Sequence, residues 1–516
     1  MRTAFLVTLT GLAAAACLDR QDPPGAAAAQ EHRPKVVRAA PDGSGSMRGP
    51  ASSASSAIPE GVLGTLQDNL PFKPDGTKIA SIAWRTWVYT DTGPKRMRLG
   101  YLRAGAVLDA RGPVIKNAGC AGGWYRINPR GFVCIGKGAT TDLKHYAVTA
   151  NSARPIRGKG LPYLYAMASD VPPYLYFKLP TAEQMRKLEG GGITRRVEAW
   201  KLLNRNRGLE YLWQDAEDPP SFLSPHDKLI KPYGVKERLH YSLHSGRASP
   251  DAGFAIGRVF AWEGRIFGLT TELDVIALDR TKVVKPSEFY GVELAAGEDL
   301  PVAFMRGHSP KFELIDREFR PVDHYQRRAG VKLTGKEYGG GMKFLQARDD
   351  SWITPATARI IEKRDSFPSF ATGSRKWIDI SIKRQTLVAY VGTKAVYATL
   401  ISSGRGGLGD PEKVPATVRG TFMIHSKHVS ATMDGEEDKS DSFNLLDVPF
   451  VQYFHKGYAL HGTYWHDEYG ELRSHGCVNL APIDAAWLFE WTDPVVPPNW
   501  HSRLNKDRGT VVYVHF

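Results

Sequence analysis

At 516 residues the chain is too long for one hydrophobic core, and a soft prior of about 150 residues per domain gives roughly three domains. With 42% hydrophobic and 24% charged residues, its composition is that of a globular protein and excludes a wholly disordered or fibrous one. The net charge of +14 attracts anionic polymers. The Lys and Arg residues are nevertheless dispersed and no nucleic-acid-binding motif is present, so no nucleic-acid partner is expected.

In chain order, Met1-Arg2 and the apolar stretch Ala4 to Ala16 have the form of an export signal, too short to span a bilayer. Leu12 to Cys17 resembles a bacterial lipobox with Ala14 where leucine is usual. Cys17 is then the lipidation site, and cleavage at the small residues is the alternative. Both readings place residues 1–17 in an export signal and the protein in the bacterial cell envelope or periplasm, lipid-anchored in the first. Residues 18–75 are rich in Ala, Pro, Ser and Gly, including Ala26 to Ala29 and Ser52 to Ser56. Such a segment cannot bury enough apolar surface to fold, and as a flexible tether it reaches ~40 Å.

Residues 76–140 carry short alternating runs, Ala83 to Tyr89, Gly105 to Leu108 and Gly123 to Ile127, the pattern of a small all-β barrel. Cys120 and Cys134 lie fourteen residues apart in this segment, a spacing suited to a disulfide in an oxidising compartment. A weak echo follows. Leu102 to Leu108 is matched by Arg327 to Leu333, and the turn at Trp124 by the one at Trp352. Both segments resemble bacterial SH3-like modules, the second spanning 301–368; generic β packing around core tryptophans is the plainer alternative. Residues 141–300 read as a β-rich region without assignable chemistry, apart from a helix over 182–188. There Thr181 is the N-cap and Gln184 completes a capping box.

A last unit is expected over 371–516, after Ser366-Phe367-Pro368-Ser369. Trp377 to Ile382 alternates as a half-buried strand does. Thr386 to Val391 and Ala395 to Ile401 form a hairpin around Gly392-Thr393. Near the end stand His461-Gly462-Thr463 and Ser474-His475-Gly476-Cys477-Val478-Asn479-Leu480. With Cys120 and Cys134 paired, Cys477 is left over, and its polar neighbours argue against a merely packed thiol. Pro482 fits the first turn of a helix whose apolar face is marked by Ile483, Trp487, Leu488 and Trp491. The helix N-terminus and a nearby imidazole favour the thiolate that a cysteine nucleophile needs. Backbone amides around His475, Gly476 and Cys477 are candidates for an oxyanion site.

Gln385-Thr386-Leu387, Ser402-Ser403-Gly404, His461-Gly462-Thr463 and Ser474-His475-Gly476-Cys477, in this order and spacing, resemble the catalytic domain of L,D-transpeptidases, the YkuD family. The resemblance covers about the last 140 residues. It implies a mostly β, sandwich-like domain that needs no cofactor and no metal. It makes Cys477 the nucleophile and His461 the base, with the imidazole oriented by the Gly462 carbonyl. His475 and Gly476 line the oxyanion site, and Ser474, Asn479, Tyr464 and Trp465 are candidates for substrate contact. The implied reaction opens the L,D bond between the third residue of a peptidoglycan stem and its terminal D-Ala, forms a thioester on Cys477 and transfers the acyl group to an amine, giving a 3-3 cross-link. Water as acceptor makes a carboxypeptidase, and a protein lysine a ligase. Many relatives carry arginine where this chain has Asn479, which removes a charge from the carboxylate-recognition site.

The expected architecture is thus mainly β and multidomain: an N-terminal small barrel and a C-terminal sandwich with a short helix after the cysteine. Two rival readings remain. His455, His461, His466, His475 and Cys477 lie within twenty-three residues, but without the paired spacing of a zinc site. A wall-binding protein that has lost catalysis fits the basic charge, but not the presence of both His461 and Cys477. The acidic run Asp434 to Asp441 reads as a solvated loop or as a lid over a cationic substrate amine.

Overall fold

The computed structural model describes residues 73–236, 238, 241–434, 444–505 and 507–516. The export signal, Cys17, nearly all of the tether and residues 435–441 of the acidic run lie outside the described residues. Among the described residues no helix is long and apolar enough to cross a membrane.

The first unit begins with alternating strands whose buried positions, such as Val88, Leu102, Leu108 and Trp124, face inward. Its strands pair in the order Ala139–Thr140, Lys78–Ser81, Val107–Asn117, Cys120–Ile127, Phe132–Cys134, Thr86–Tyr89 and Arg98–Leu102. Cys120 and Cys134 form a disulfide with a Cα–Cα distance of 5.8 Å. The expected closed barrel is not formed. The free edge of Arg98–Leu102 pairs instead with Ser502–Leu504, near the C-terminus, Gly100 opposite Arg503. A Cβ on Gly100 would lie 2.0 Å from the Ser502 carbonyl oxygen, so glycine is what lets the two backbones meet. Edge hydrogen bonds that closure would satisfy within the unit are satisfied by another part of the chain.

Residues 146–283 hold more helix than expected: Tyr146–Ala150, Ala182–Glu189, Ile193–Arg205 and Tyr211–Gln214 pack on a sheet built around Gly253–Trp262 and Arg265–Thr270. The capping box at Thr181 and Gln184 is present in both directions, and Met185 is buried against Phe260 and Phe267. The helix over 193–205 escaped the sequence reading because its N-cap is Gly192 in the left-handed region, without a side-chain cap.

The region over 302–361 is an open seven-stranded sheet, ordered Glu318–Tyr325, Ser309–Ile315, Trp352–Ile353, Phe344–Ala347, Gly330–Tyr338, Val302–Met305 and Ala358–Ile361. It too lacks the closure of an SH3-like barrel. Trp124 and Trp352 are both buried, as generic packing requires.

The last unit has two sheets. One runs Val292–Glu293, Lys394–Leu400, Thr386–Val391, Lys376–Ser381, Val511–His515 and Gly420–Met423. The other runs Ser502–Leu504, Ser426–Asp434, Asn444–His455, Tyr458–Gly462 and Val478–Leu480. A shared core joins Ile378, Ile380, Leu387 and Val512 from the first to Val429, Phe450, Leu460 and Val478 from the second. The helix Pro482–Trp491 starts with Pro482 in its first turn. Its buried face is set by Asp484, Ala485, Leu488 and Phe489, whereas Ile483 is exposed, so the apolar face expected through Ile483 is rotated. The reason is Asp484, which accepts from Gly291 N–H at 2.7 Å, from Tyr397 Oη at 2.6 Å and from Thr399 Oγ1. These polar partners bury a carboxylate that hydrophobic patterning would place outside.

Three parts of the chain meet at Asp447. Its carboxylate accepts from both terminal nitrogens of Arg103 at 2.9 and 3.1 Å, from Ser430 Oγ at 2.8 Å and from Thr271 Oγ1 at 2.5 Å. Its carbonyl accepts from Tyr165 Oη at 2.6 Å. Arg103 holds the carboxyl below its usual range against the opposing effect of burial.

Candidate active site

Two neighbouring strands of the second sheet carry the motifs. Tyr458–Gly462 and Val478–Leu480 run parallel, with Leu460 opposite Val478, His461 opposite Asn479 and Gly462 opposite Leu480. Paired residues present their side chains on the same face of a sheet, so His461 and Asn479 share one face, with Cys477 at the entrance to the second strand. His461 is buried, and its Nδ1 lies 2.9 Å from the Gly462 carbonyl oxygen. A carbonyl only accepts, so Nδ1 carries the hydrogen of the neutral ring and Nε2 is the basic nitrogen.

Cys477 stands outside the disulfide and is buried. It closes a tight bend. Ser474 Oγ donates to the Cys477 carbonyl and accepts from Gly476 N–H at 3.0 Å. Gly476 has φ of +139°, and a Cβ there would lie 2.9 Å from the Tyr458 ring, so both conformation and space demand glycine. The amide of Gly476 is thus engaged with Ser474 Oγ inside the bend. Ser474 and Tyr464 are also committed elsewhere. Ser474 shapes the bend, while Tyr464 is buried, donates to the Leu446 carbonyl at 3.2 Å and stacks on Tyr165 at 4.2 Å. Trp465 is half-buried with its ring 5.8 Å from that of His461, and His475 is exposed.

The helix does not follow the cysteine directly. The strand Val478–Leu480 intervenes, and at about 3.3 Å per residue it sets the helix N-terminus roughly 10 Å or more along the chain from Cys477. A helix-end field acts within about one turn, so support for a thiolate rests on the imidazole and on groups of the bend.

The bend is braced from behind by the other two motifs. Ser474 N–H donates to the Ser403 carbonyl at 3.0 Å, and Arg405 N–H to the Ser474 carbonyl at 2.8 Å. Asn479 and Ser402 exchange both backbone hydrogen bonds at 2.8 and 2.9 Å. Gln385, buried at φ of +53°, donates to Ser403 Oγ at 2.6 Å and accepts from Ser403 N–H at 2.8 Å. Thr417, which sequence reading missed, donates to the Gly476 carbonyl at 2.7 Å. A lone buried threonine in a glycine-rich loop leaves no pattern from which to find it.

A second missed residue is His466. Its Nε2 lies 2.9 Å from the Asn479 side-chain amide and its Nδ1 accepts from Glu468 N–H at 3.2 Å. Burial pushes it down to about 4 from 6.5. Among the described residues no group of three or more His, Cys, Asp or Glu is placed to hold a metal ion. His455 packs between the rings of Phe422 and Tyr458, apart from this cluster.

The arrangement offers a thiol at the mouth of a strand, an imidazole base and an amide on the strand beside it. Residues 375–514 match the family YkuD, the L,D-transpeptidase catalytic domain. That match covers about a quarter of this chain. Among curated proteins it is similar to the putative L,D-transpeptidase YciB of Bacillus subtilis (strain 168), 26% identical over 140 residues that make up 22% of this chain and 59% of that protein. The chain therefore spans about three-fifths of the length of the curated relative it matches. Among solved structures it is similar to an L,D-transpeptidase from Mycobacterium smegmatis, at 18% identity over 40% of this chain and 78% of that one with a TM-score of 0.22. The catalytic domain of the E. faecium L,D-transpeptidase gives 24% identity over 28% of this chain and 98% of that one, with a TM-score of 0.21. The YkuD match lies wholly within the C-terminal unit; the SH3-like resemblance of residues 76–140 and 301–368 has no counterpart in it.

Proposed function

We propose that this chain is an exported L,D-transpeptidase of peptidoglycan metabolism with Cys477 as nucleophile and His461 as base. The observation that carries the reading is the parallel register setting His461 opposite Asn479, with Cys477 two residues before Asn479. His461 Nε2 takes the thiol proton, and the sulfur attacks the carbonyl of the L,D bond in a tetrapeptide stem. As the C–S bond forms and the C–N bond breaks, the D-Ala amine takes the proton from His461 and leaves. An amine of a second stem then attacks the thioester, its proton passes through His461, and the Cys477 thiol is restored with a 3-3 cross-link formed. Export is supported by the leader sequence, by Cys17 in its lipobox-like setting and by the disulfide. With a lipid on Cys17 and residues 18–75 as tether, the envelope-facing catalytic unit stands off the membrane.

The test is mass spectrometry of residues 18–516 incubated with disaccharide-tetrapeptide, native protein beside Cys477→Ala. Dimer formed with loss of one D-Ala, and absent in the variant, is the expected result. Tripeptide without dimer makes the protein a carboxypeptidase. No turnover by native protein with a reduced thiol overturns the reading.

A further inference from the structure

His466 and Asn479 make an arrangement whose hydrogens are fixed by elimination. The Glu468 backbone N–H can only donate, and it points at His466 Nδ1 at 3.2 Å. Nδ1 therefore holds no proton. An imidazole that is not an anion must then carry its hydrogen on Nε2. That Nε2–H faces the Asn479 side-chain amide at 2.9 Å. Placed with its nitrogen toward the ring, the amide would set donor against donor, and its oxygen has no hydrogen-bond partner among the described residues although it is buried. Half a turn about the last side-chain bond exchanges the two atoms. The oxygen then accepts from His466 Nε2–H, and the NH2 takes the buried unpartnered position.

Asn479 has no other freedom. It is 2% exposed, and both its backbone groups are taken by Ser402. Its side chain shares a face with His461 and follows Cys477 by two residues. A buried amide donor without a partner is unfavourable, and the site recovers this cost when an acceptor-only oxygen arrives.

Resting on the transpeptidase reading, we infer that His466 is a positioning residue: as the Nε2–H tautomer it fixes the Asn479 amide so that its NH2 donates to a carbonyl or carboxylate oxygen of the acyl donor beside Cys477. His466 touches no substrate atom and acts only through Asn479. Specificity follows from the same geometry. The site prefers a donor whose oxygen at this place is an unprotonated acceptor, and disfavours an analogue carrying an amine or a methyl group there.

The test uses an isosteric pair in the full chain. His466→Gln can keep an N–H toward Asn479, whereas His466→Glu at neutral pH offers only acceptors and turns the amide oxygen toward the substrate. Expected is kcat/KM for tetrapeptide within about fivefold of native for Gln and lowered at least about a hundredfold for Glu, the range set by one lost donor at a developing charge. Thermal unfolding and the rate of Cys477 alkylation by iodoacetamide should be alike in the two variants. Equal kcat/KM for Gln and Glu, or a loss for Glu that merely follows its melting temperature, overturns the inference. Ring 15N spectra of His466 at neutral pH decide it without substrate: the Nε2–H tautomer supports it, and an Nδ1–H or doubly protonated ring refutes it. If native protein turns over no tetrapeptide, the transpeptidase reading fails, and those spectra still settle whether His466 orients Asn479.

Discussion

The bend at Ser474 to Cys477 and the loop just before it, residues 463–473, border the same site but are held in different ways. The bend is braced from inside the YkuD-matching segment, by Ser403, Gln385 and Thr417. The loop is held from inside it as well, by Gly470 N–H to the Ile401 carbonyl at 2.8 Å and Ser402 Oγ to the Glu468 carbonyl at 2.7 Å, but it is also gripped from outside. Arg328 donates to Asp467 through both terminal nitrogens at 2.9 and 2.6 Å, Ser287 Oγ donates to the same carboxylate at 2.6 Å, and Arg359 donates to the Gly470 carbonyl at 2.6 Å. Phe289 stacks on Tyr469 at 5.7 Å. The difference separates two tasks. Geometry at the Cys477 sulfur is internal to the matched segment, while the loop that carries His466 is placed in part by residues 287–361.

The strongest way to break the comparison is at the outside contact that is fully buried. Arg103→Ala should cost about 3–5 kcal/mol in denaturant unfolding, because it strands the buried Asp447 carboxylate. A loss below about 1 kcal/mol would mean the N-terminal unit only leans on the rest.

Acid tests the loop itself. His466 has its folded value at about 4 against 6.5 ordinarily, so between these limits the unfolded chain binds a proton that the folded one refuses. Stability is then full above pH 6.5 and declines as the pH falls toward 4, by at most about 3 kcal/mol. Burial is the leading cause, with Arg473 and His461 also opposing the charge and Glu468 and Asp467 favouring it. His466→Gln should flatten this part of the stability–pH curve in chemical denaturation; an unchanged slope assigns it to other groups.

The internal brace should respond to Gln385→Ala, which strips Ser403 of two partners in a buried place and is expected to cost about 2 kcal/mol. The rate of Cys477 alkylation should change with it. If alkylation is untouched, the bend keeps its shape without the brace.

The smallest stability effect is expected at Arg328→Ala. Its partner Asp467 is half exposed, with 52% side-chain accessibility, so the melting temperature should shift by what about 1 kcal/mol or less produces. Turnover should nevertheless fall severalfold while alkylation of Cys477 stays native, since the loop is loosened and the bend is not. Equal losses in both readouts would erase the distinction between loop and bend.

Much of the C-terminal unit was legible because its signals are local. Alternation over Trp377 to Ile382, the Gly392 turn and Pro482 in a first turn each report a backbone state set by near neighbours. The same holds for Gly476, whose positive φ only glycine adopts cheaply. What failed had long-range causes. Barrel closure at 76–140 was lost because Arg98–Leu102 gave its edge to Ser502–Leu504. The helix face at Ile483 was misjudged because Asp484 found partners at Gly291, Tyr397 and Thr399. Asn479 was read as a charge removed, and its partner His466 as one more local histidine.

By itself the sequence determined the residue types of the candidate site, the strands and turns that carry them and the disulfide spacing, since all are properties of short stretches. Only the tertiary structure decided which edges pair, which carboxylates are buried and which imidazole meets Asn479. Those outcomes depend on partners far apart in the chain, which a local pattern cannot encode: Asp484 and Thr399 are 85 residues apart and Arg103 and Asp447 are 344 apart, and desolvation makes such meetings favourable only when both partners arrive together.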